Sequence, residues 1–423
     1  MSSYFPRANP ESQGANDMRR AGCGPLSLAL MDARNRTLQL LAYFETALNG
    51  GLQIPQREDC ELPQWIAGHV AWLAEYWIGR NPQRAAGPAC PRDAIRLASI
   101  EPQADRWFDP VLAPHGARWT LDLPGFENLR GYLLETLEST LEMLEKIDGG
   151  AANDNALYFF RVALFHEARR HEQLATLAQT LGVSVALQLP QGMNPRDPVL
   201  VPAGPWRLGE PPGGFVFDVQ KWAHDVRVPE FEIDAQPVNW AQYAEFVDDG
   251  GYDREELWLP QGWQWLQREA GSEGRRGPRY VEQIGAAGGA VLRTVFGRQA
   301  RMAGTQSVMH LSWWEADAYA RWAGRRLPTE VEWEMAAELA VRRGFRWGDV
   351  REWTAGSLRP WPGFAADRWT VDTDFEAAPH FGIAKVQRGA SFATSELLRD
   401  ARQRNFALPH RDDAFVGFRT CSI

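Results

Sequence analysis

The sequence contains little of several features that assign a chain to a broad class. It has four cysteines in 423 residues, without any CxxC pair: Cys23, Cys60, Cys90 and Cys421. Neither a disulfide framework nor a zinc site built from thiolates is therefore indicated. No segment approaches the roughly 18 apolar residues of a membrane span, and the polar N-terminal segment lacks the apolar run of a signal peptide. These absences predict a soluble, cytoplasmic protein.

The sequence also lacks a concentration of positive charge. Its 45 basic residues are outnumbered by 54 acidic ones, which gives a net charge of -9. Nucleic acid and anionic membranes are therefore not expected as partners. What the sequence does have is length and apolar content, since 423 residues with 44% hydrophobic side chains suffice for two domains with separate cores.

The character of the sequence changes near residue 200, which indicates a domain boundary. Helical periodicity before it predicts an antiparallel bundle of four helices. These helices span about 26–49, 62–80, 125–148 and 154–181. After the boundary, Trp, Gly and Pro separate short strand-like runs, and helices are predicted at 238–248, 313–323 and 328–340.

The fold class is therefore predicted as α+β. The predicted order is a disordered tail (1–24), a helical bundle (25–182), a proline-rich connector (183–210) and a mixed domain with little regular structure (211–423).

His69 is the first candidate for chemistry. It lies in WIAGHVAWLAEYW, on the same face of the second helix as Trp65, Trp72, Leu73 and Tyr76. The histidine thus faces the apolar side of the helix, where a polar ring needs a partner. A lone histidine in a core is more often hydrogen-bonded packing than a metal ligand, so the interpretation depends on the fourth helix.

The fourth helix carries the motif FHEARRHEQL. It places two histidines and two glutamates close together: His166, Glu167, His171 and Glu172. Paired histidine and carboxylate groups on facing helices are how bundles build iron sites. A solvated, charged helix face is the alternative, but the flanking residues are strongly apolar, which argues against it. We therefore predict a metal site between the second and fourth helices.

The residues leave the ligand set open. At about 100° per residue, Glu167 and His171 share one face of the helix while His166 points elsewhere. Regular geometry favours a site of two histidines and one carboxylate. His166 and His171 converge only if the helix contains a one-residue π-bulge, a feature that is frequent at functional sites.

Several phrases of the second domain resemble the formylglycine-generating-enzyme fold. They include PVNWAQYAEFV, RRLPTEVEWE, WGDVREWT, RGASF and the C-terminal VGFRTC. His224 and His310 fall in these stretches, and we expect structural roles for both. Formylglycine-generating enzymes hold copper through two cysteines, whereas this domain contains only Cys421. We therefore do not expect that chemistry here.

A DinB-like bundle ahead of such a domain resembles the ergothioneine sulfoxide synthases. The match runs over about residues 26 to 423 and is carried by GHVAWLAEYW, LFHE, RRLPTEVEWE and RNF followed by GFR. The resemblance implies a non-haem Fe(II) enzyme with three histidine ligands. It implies that O₂ is used to join a thiol to C2 of trimethylhistidine (hercynine).

The resemblance also assigns site residues. His69 and His166 take the places of the first two iron ligands. Arg170 stands where the third should be, and His171, displaced by one position, is carried over as that ligand, with Glu167 as its rival. Arg170 is also counted among the residues that contact substrate.

The C-terminal RNF stretch resembles the part of the family's pocket that holds hercynine. It consists of Arg404, Asn405 and Phe406. Asn405 would donate to the hercynine carboxylate, and Phe406 would pack on its ring or its quaternary ammonium. Trp361 replaces a tyrosine of the family's YPGF-like stretch, and no tyrosine follows Tyr319.

The donor side of the pocket departs from the family as well. Ala407 replaces an acidic residue that some members use for an amino-acid thiol, and Arg411 is retained. A pocket without a full anchor for a zwitterion suits a neutral donor. The segment LRDARQRNFALPHRDDAFVGFRTC is similar to the selenoneine synthase branch, which implies a selenosugar donor. The alternatives are an ergothioneine-type synthase that uses cysteine, γ-glutamylcysteine or another thiol, and a non-catalytic binding module.

Overall fold

The computed structural model describes residues 10–147, 153–285 and 291–423. Long helices occupy its first part and short strands, helices and loops its second, which confirms the α+β class. Its α-helices are α1 (Pro10–Arg19), α2 (Cys23–Asn49), α3 (Pro63–Ala74), α4 (Ala104–Phe108), α5 (Phe126–Glu145), α6 (Asp154–Leu181), α7 (Trp240–Asp248), α8 (Pro260–Glu273), α9 (Trp313–Trp322) and α10 (Glu330–Leu339). Its strands are β1 (Val199–Val201), β2 (Gly204–Leu208), β3 (His224–Val228), β4 (Phe231–Ile233), β5 (Val281–Ile284), β6 (Val291–Val295), β7 (Arg298–Met302), β8 (Arg351–Ser357), β9 (Lys385–Arg388), β10 (Arg404–Ala407) and β11 (Val416–Phe418).

Helices α2, α3, α5 and α6 form the bundle, and their bounds lie close to the predicted ones. Apolar side chains from all four helices meet in its core, among them Leu41, Trp65, Leu133 and Phe160. Burial of these side chains is the main term that stabilises the bundle. Within the described residues, no helix has the length and apolar character needed to cross a membrane.

Local signals fix the ends of α6, which carries the FHEARRHEQL motif. The Asn153 side chain accepts a hydrogen bond from the Ala156 amide (3.0 Å), and Gly182 ends the helix with a φ of 70°. The residues between them are regular α-helix, so α6 does not have the π-bulge that a pairing of its two histidines requires. A π-helical turn lies instead at Glu75–Gly79, directly after α3.

The N-terminal segment departs from its prediction. Residues 1–9 of the predicted disordered tail lie outside the described residues, but residues 10–19 form α1. Arg19 at the end of α1 is buried and pairs with Glu210 of the second domain (2.6 Å). Polar composition suggested disorder, but this buried ion pair holds the segment against the second domain. Part of the predicted connector is likewise ordered, as β1 and β2.

The second domain is built from small sheets. The four-stranded sheet has the order β10-β9-β8-β11, in which β11 and β8 are parallel and the other pairs antiparallel. Strands β5, β6 and β7 form an antiparallel sheet, while β1 pairs with β4 and β2 with β3. The three predicted helices are present as α7, α9 and α10, each with a capping box. Helix α8 is missing from the prediction because its two glycines disfavour a helix.

A buried carboxylate connects the bundle to the second domain. Glu172 of α6 accepts hydrogen bonds from the hydroxyls of Ser391 (2.7 Å) and Thr394 (2.8 Å). It also forms an ion pair with Arg351, which is largely buried. Because a buried charge without a partner is costly, these contacts fix how α6 lies on the second domain.

We expect Glu172→Ala to lower the free energy of unfolding by about 3 kcal/mol, because it leaves Arg351 without its partner. Chemical denaturation followed by tryptophan fluorescence measures the change. The matched control is Glu135→Ala on α5, where the glutamate is exposed, and we expect a change within about 0.5 kcal/mol. Equal effects of the two substitutions would contradict the role of Glu172.

Candidate active site

A cleft of about 390 Å³ lies where α6 meets the second domain. Its wall includes Arg169, Arg170 and Gln173 from the bundle, and Asp374, Phe375, His380, Phe406 and Arg411 from the second domain. His69 of α3 and His166 of α6 are buried behind this wall, where His166 contacts Arg170 and Phe375. The cleft and the two histidines form the candidate active site.

His69 is held by the long connection between α3 and α5. Its Nδ1 atom donates a hydrogen bond to the carbonyl of Phe108 (2.9 Å), which leaves the lone pair on Nε2. The Nε2 atom is buried and has no hydrogen-bond partner among the described residues. Gly68 permits this packing, because a Cβ atom there would lie 2.1 Å from the Phe108 ring. Burial, followed by the charge of Arg170, lowers the pKa of His69 to about 3, so the ring is neutral.

His166 lies edge-on to His69, with 5.1 Å between the ring centroids. Its Nε2 atom accepts a hydrogen bond from Nε of Arg170 (3.1 Å), one turn further along α6. Phe375 of the second domain packs against the ring at 5.3 Å. Burial, followed by the charge of Arg170, holds the pKa of His166 well below its usual value. The bundle thus presents two neutral imidazoles to one another.

Arg170 separates this histidine pair from the cleft. Besides its bond to His166, its guanidinium forms a bidentate ion pair with Asp374, in which Nη2 and Oδ1 are 2.8 Å apart. The Arg170 side chain is 2% exposed, whereas that of Asp374 is 52% exposed. Arg170, predicted to contact substrate, therefore lies at the inner end of the cleft with protein groups as its partners.

Glu167 and His171 contact α2 instead. The Nε2 atom of His171 donates to the carbonyl of Ala33 (3.0 Å). Glu167 accepts hydrogen bonds from Nε of Arg34 (2.9 Å) and from the hydroxyl of Thr37 (2.6 Å). All of these side chains are buried, so the contacts are part of the packing between α2 and α6.

The structure thus places His171, predicted as the third ligand, and Glu167, its predicted rival, away from His69 and His166. The physical reason is that α6 is unbroken: His166 and Arg170, four residues apart, share the face towards α3. Glu167 and His171 each lie one residue further on, about 100° around the helix.

The two histidines that remain fit a metal ion in part. As arranged, no group of three or more His, Cys, Asp or Glu side chains in the described ranges is able to hold one. His69 and His166 are nevertheless buried and neutral, and the unpaired Nε2 atom of His69 is the kind of buried polar atom that requires an explanation. Neutral imidazole is also a ligand that suits iron. The structure therefore brings His69 and His166 together behind the cleft wall, and it places His171 and Glu167 against α2.

Asn405 and Phe406 lie on β10 beside the cleft. The Phe406 ring lines the cleft, 5.3 Å from the ring of His380. Asn405 is the register partner of Gln387, another residue of the cleft wall, so their side chains share a face of the sheet. The buried Nδ2 atom of Asn405 has no hydrogen-bond partner in the described structure. Asn405 is 1% exposed and is not among the residues that line the cleft.

Arg404 and Trp361 lie away from the cleft, contrary to the prediction. The Arg404 guanidinium stacks on the Trp361 ring (4.4 Å) and pairs with Glu330 (2.8 Å), and Trp361 belongs to a separate apolar core of the second domain. Side chains alternate along a strand, so Arg404 and Asn405 point to opposite faces of β10. The replacement of tyrosine by Trp361 therefore changes packing in that core.

Arg411 lines the cleft but is already paired. Its Nε and Nη2 atoms donate to the two carboxylate oxygens of Asp413 (2.7 and 2.8 Å). The carboxylate of Glu58 lies 3.7 Å from Nη1. The retained arginine of the family pattern thus offers little free charge to a substrate.

Arg169 is a cleft residue that the sequence did not single out. Its guanidinium packs on the rings of Phe217 (5.2 Å) and Phe375 (4.7 Å) and has no hydrogen bond or ion pair within the described residues. Burial, followed by the nearby charge of Arg351, lowers its pKa to about 10. The one available signal was its place beside Arg170, in the middle of the histidine motif.

Comparison with known proteins first defines the class of the second domain. Residues 185–349 match the sulfatase-modifying factor enzyme 1-like domain. A formylglycine-generating enzyme of Streptomyces coelicolor is 34% identical over a region that covers 36% of this chain and 51% of that protein. The second domain is therefore of the sulfatase-modifying-factor class.

Two hercynine oxygenases match almost the whole chain. That of Mycolicibacterium smegmatis is 30% identical, and the match covers 92% of this chain and 96% of the relative. That of Mycolicibacterium thermoresistibile is 29% identical, with 93% and 94% covered. The chain belongs to the hercynine oxygenase family. It is therefore an enzyme, an oxygenase, which removes the non-catalytic binding module as an interpretation.

We expect Glu167→Gln to lower the free energy of unfolding by about 3 kcal/mol, because Arg34 loses its buried counter-charge. We expect the metal content per folded chain to stay the same. Denaturation curves and metal analysis of protein purified without oxygen measure the two quantities. The control is Glu142→Gln on α5, where the side chain is 63% exposed, and neither quantity should change. Loss of metal with full stability would restore Glu167 as a ligand.

Proposed function

We propose that the protein is a non-haem Fe(II) oxygenase that uses O₂ to join a sulfur or selenium atom to the imidazole of hercynine. The observation that carries this proposal is the buried pair of neutral histidines beside a cleft, in a chain of the hercynine oxygenase family. His69 and His166 would hold the metal. Iron, when bound, supplies the binding and reduction of O₂ that side chains do not provide.

Two neighbouring residues of the edge strand β10 would hold the two ends of hercynine. The unpaired Nδ2 atom of Asn405 suits the carboxylate, because a buried donor without a partner gains a full hydrogen bond on binding. The Phe406 and His380 rings suit the quaternary ammonium, since a cation is attracted to an aromatic face. Held by these contacts, the hercynine imidazole would extend towards the histidine pair.

Aromatic side chains keep the histidine pair dry. Trp369 and Phe375 are buried and pack within 6.4 and 5.3 Å of the His166 ring, measured between centroids. Exclusion of water strengthens the electrostatic interactions in the site and protects reactive species from side reactions.

For the donor, we propose a neutral selenosugar. Ala407 brings no charge to the cleft wall, and Arg411 is already satisfied by Asp413, so a zwitterionic amino acid would find few free partners there. The hydroxyls of a sugar can be satisfied by side chains and ordered water without burial of net charge. A selenol also ionises near or below neutral pH, so it needs no strong base.

A thiol donor is the second candidate, and a specific observation favours it. Arg169 lines the cleft and has no ion-pair partner within the described ranges, so it is free to bind the carboxylate of cysteine or γ-glutamylcysteine. The matching relatives are named for hercynine, and their names do not specify the donor. The two donors are therefore separated by experiment.

We expect His69→Ala to lose both bound iron and turnover, because one of two buried imidazole ligands is removed. Metal analysis of protein purified without oxygen and an O₂-consumption assay measure the losses. The control is His224→Ala on β3, whose imidazole contacts the Trp222 carbonyl and the Trp361 ring, away from the histidine pair. A circular dichroism spectrum of each variant checks the fold. Stoichiometric iron and full activity in folded His69→Ala would remove the metal-site proposal.

We expect the catalytic efficiency with a 1-selenosugar and hercynine to exceed that with cysteine or γ-glutamylcysteine by at least about 100-fold. This ratio corresponds to roughly 2.7 kcal/mol of differential transition-state binding. A competition assay under O₂, with products resolved by mass, measures the ratio. Equal or better use of cysteine would assign the protein to the ergothioneine-type synthases.

A further inference from the structure

Arg169 brings an unmatched positive charge to the cleft. Its guanidinium is half-buried and has no hydrogen bond or ion pair within the described residues. The carboxylates of the cleft wall face other arginines: Glu58 and Asp413 face Arg411, Glu172 faces Arg351, and Asp374 faces Arg170. Because removing a cation from water is costly, an anionic ligand beside Arg169 would offset that cost.

An aromatic ring connects Arg169 to the histidine pair. The Phe375 ring centroid lies 4.7 Å from the guanidinium of Arg169 and 5.3 Å from the ring centroid of His166. A guanidinium that packs on aromatic faces still presents N–H groups at its edge. A ligand held by Arg169 therefore lies against the wall behind which the two histidines are buried.

Arg351 of β8 adds a second cation to the same cleft. Burial, followed by the charge of Arg351, lowers the pKa of Arg169 to about 10, so Arg169 remains charged at neutral pH. Arg351 is paired with Glu172, but its buried Nε atom has no hydrogen-bond partner in the described structure. An anion close to both guanidinium groups would relieve their mutual repulsion.

The reactants proposed above limit what this anion can be. The carboxylate of hercynine is assigned to Asn405 on β10, so the negative charge beside Arg169 falls to the chalcogen donor. A sugar donor has a single readily ionised group, its selenol or thiol. That group must also come close to the hercynine imidazole, which would extend towards the histidine pair. Arg169 lies against the wall of that pair.

We infer that Arg169, supported by Arg351, binds the chalcogen donor as its anion, a selenolate or thiolate, and holds the reacting atom beside the histidine pair. This inference rests on the proposed function, because it takes the donor to be a selenol or a thiol. The donor gives its proton to water before it binds, and the negative charge stays on the chalcogen. The protein then needs a counter-charge for this step and no base.

The test compares a ligand that can ionise with one that cannot. The probes are 1-thioglucose and its S-methyl derivative, and isothermal titration calorimetry measures both affinities without oxygen. The pH is about 8.5, where a large part of a thiol is ionised. Full-length protein is first treated with a chelator, so that the thiol has no metal ion to bind. We expect the wild type to bind the thiol at least about 10-fold more tightly than the S-methyl derivative, since a charge-assisted hydrogen bond is gained.

Two substitutions of Arg169 separate its charge from its packing. Arg169→Met keeps most of the side-chain length, and we expect it to bind the two probes with equal affinity. Arg169→Lys keeps the charge, and we expect it to retain part of the preference. The matched control is Arg36→Met on α2, an exposed arginine outside the cleft wall, which should behave as the wild type. Circular dichroism checks the fold of each variant.

The outcomes separate this inference from the proposed function. A wild type that binds both probes equally, or a folded Arg169→Met that still prefers the thiol, overturns the inference. It is also overturned if Arg169→Met weakens binding of S-methylcysteine and leaves that of 1-thioglucose unchanged, because Arg169 would then bind a carboxylate. Failure of the proposed function appears elsewhere, as absence of O₂ consumption with hercynine. An Arg169-dependent preference for the thiol would support the inference even then.

Discussion

The rotational phase of α6 is the constraint on which the rest of the site depends. A regular helix presents its side chains in steps of about 100°, and this one is packed against the bundle and against the second domain. His166 contacts His69 of α3, Glu167 contacts Arg34 of α2, and Glu172 contacts the second domain. Turning the helix to improve one of these contacts would break the others. A single short motif therefore determines the position of the His166 ring, the packing of α6 in the bundle and the contact of α6 with the second domain.

Much of the fold follows from the sequence because periodicity is a local property. The bundle helices and α7, α9 and α10 could be placed from their apolar spacing and their terminal residues. The proximity of His69 and His166 was also predictable, the first from its apolar face and the second from family resemblance. The packing of Glu167 and His171 against α2 was not predictable. Which of several neighbouring residues meets the facing helix depends on how α6 is rotated, and packing of the whole bundle sets that rotation.

In the second domain, too, the sequence does not predict which side chains face the cleft. Adjacent residues of β10 have different surroundings. Asn405 shares a face of the sheet with Gln387 of the cleft wall, whereas Arg404 packs on Trp361 in a separate core. Sequence gives the alternation of a strand but not which face meets the partner domain. The position of Asp374 is harder still to predict from the sequence, because it lies in a loop without periodicity. Its partner Arg170 is 204 positions away along the chain. No local pattern connects two such residues.

The ion pair of Arg170 has a consequence for how the protein matures. In small zinc domains the ligands have no other partner, and the chain stays unfolded until metal arrives. Here His166 and Asp374 already share a cation that belongs to the chain, so the core closes around paired groups. Folding of this part of the protein therefore needs no added ion to pair these groups. If His69 and His166 hold iron as proposed, a cell short of iron would accumulate folded protein that is ready to be loaded, rather than unfolded chains that must be degraded.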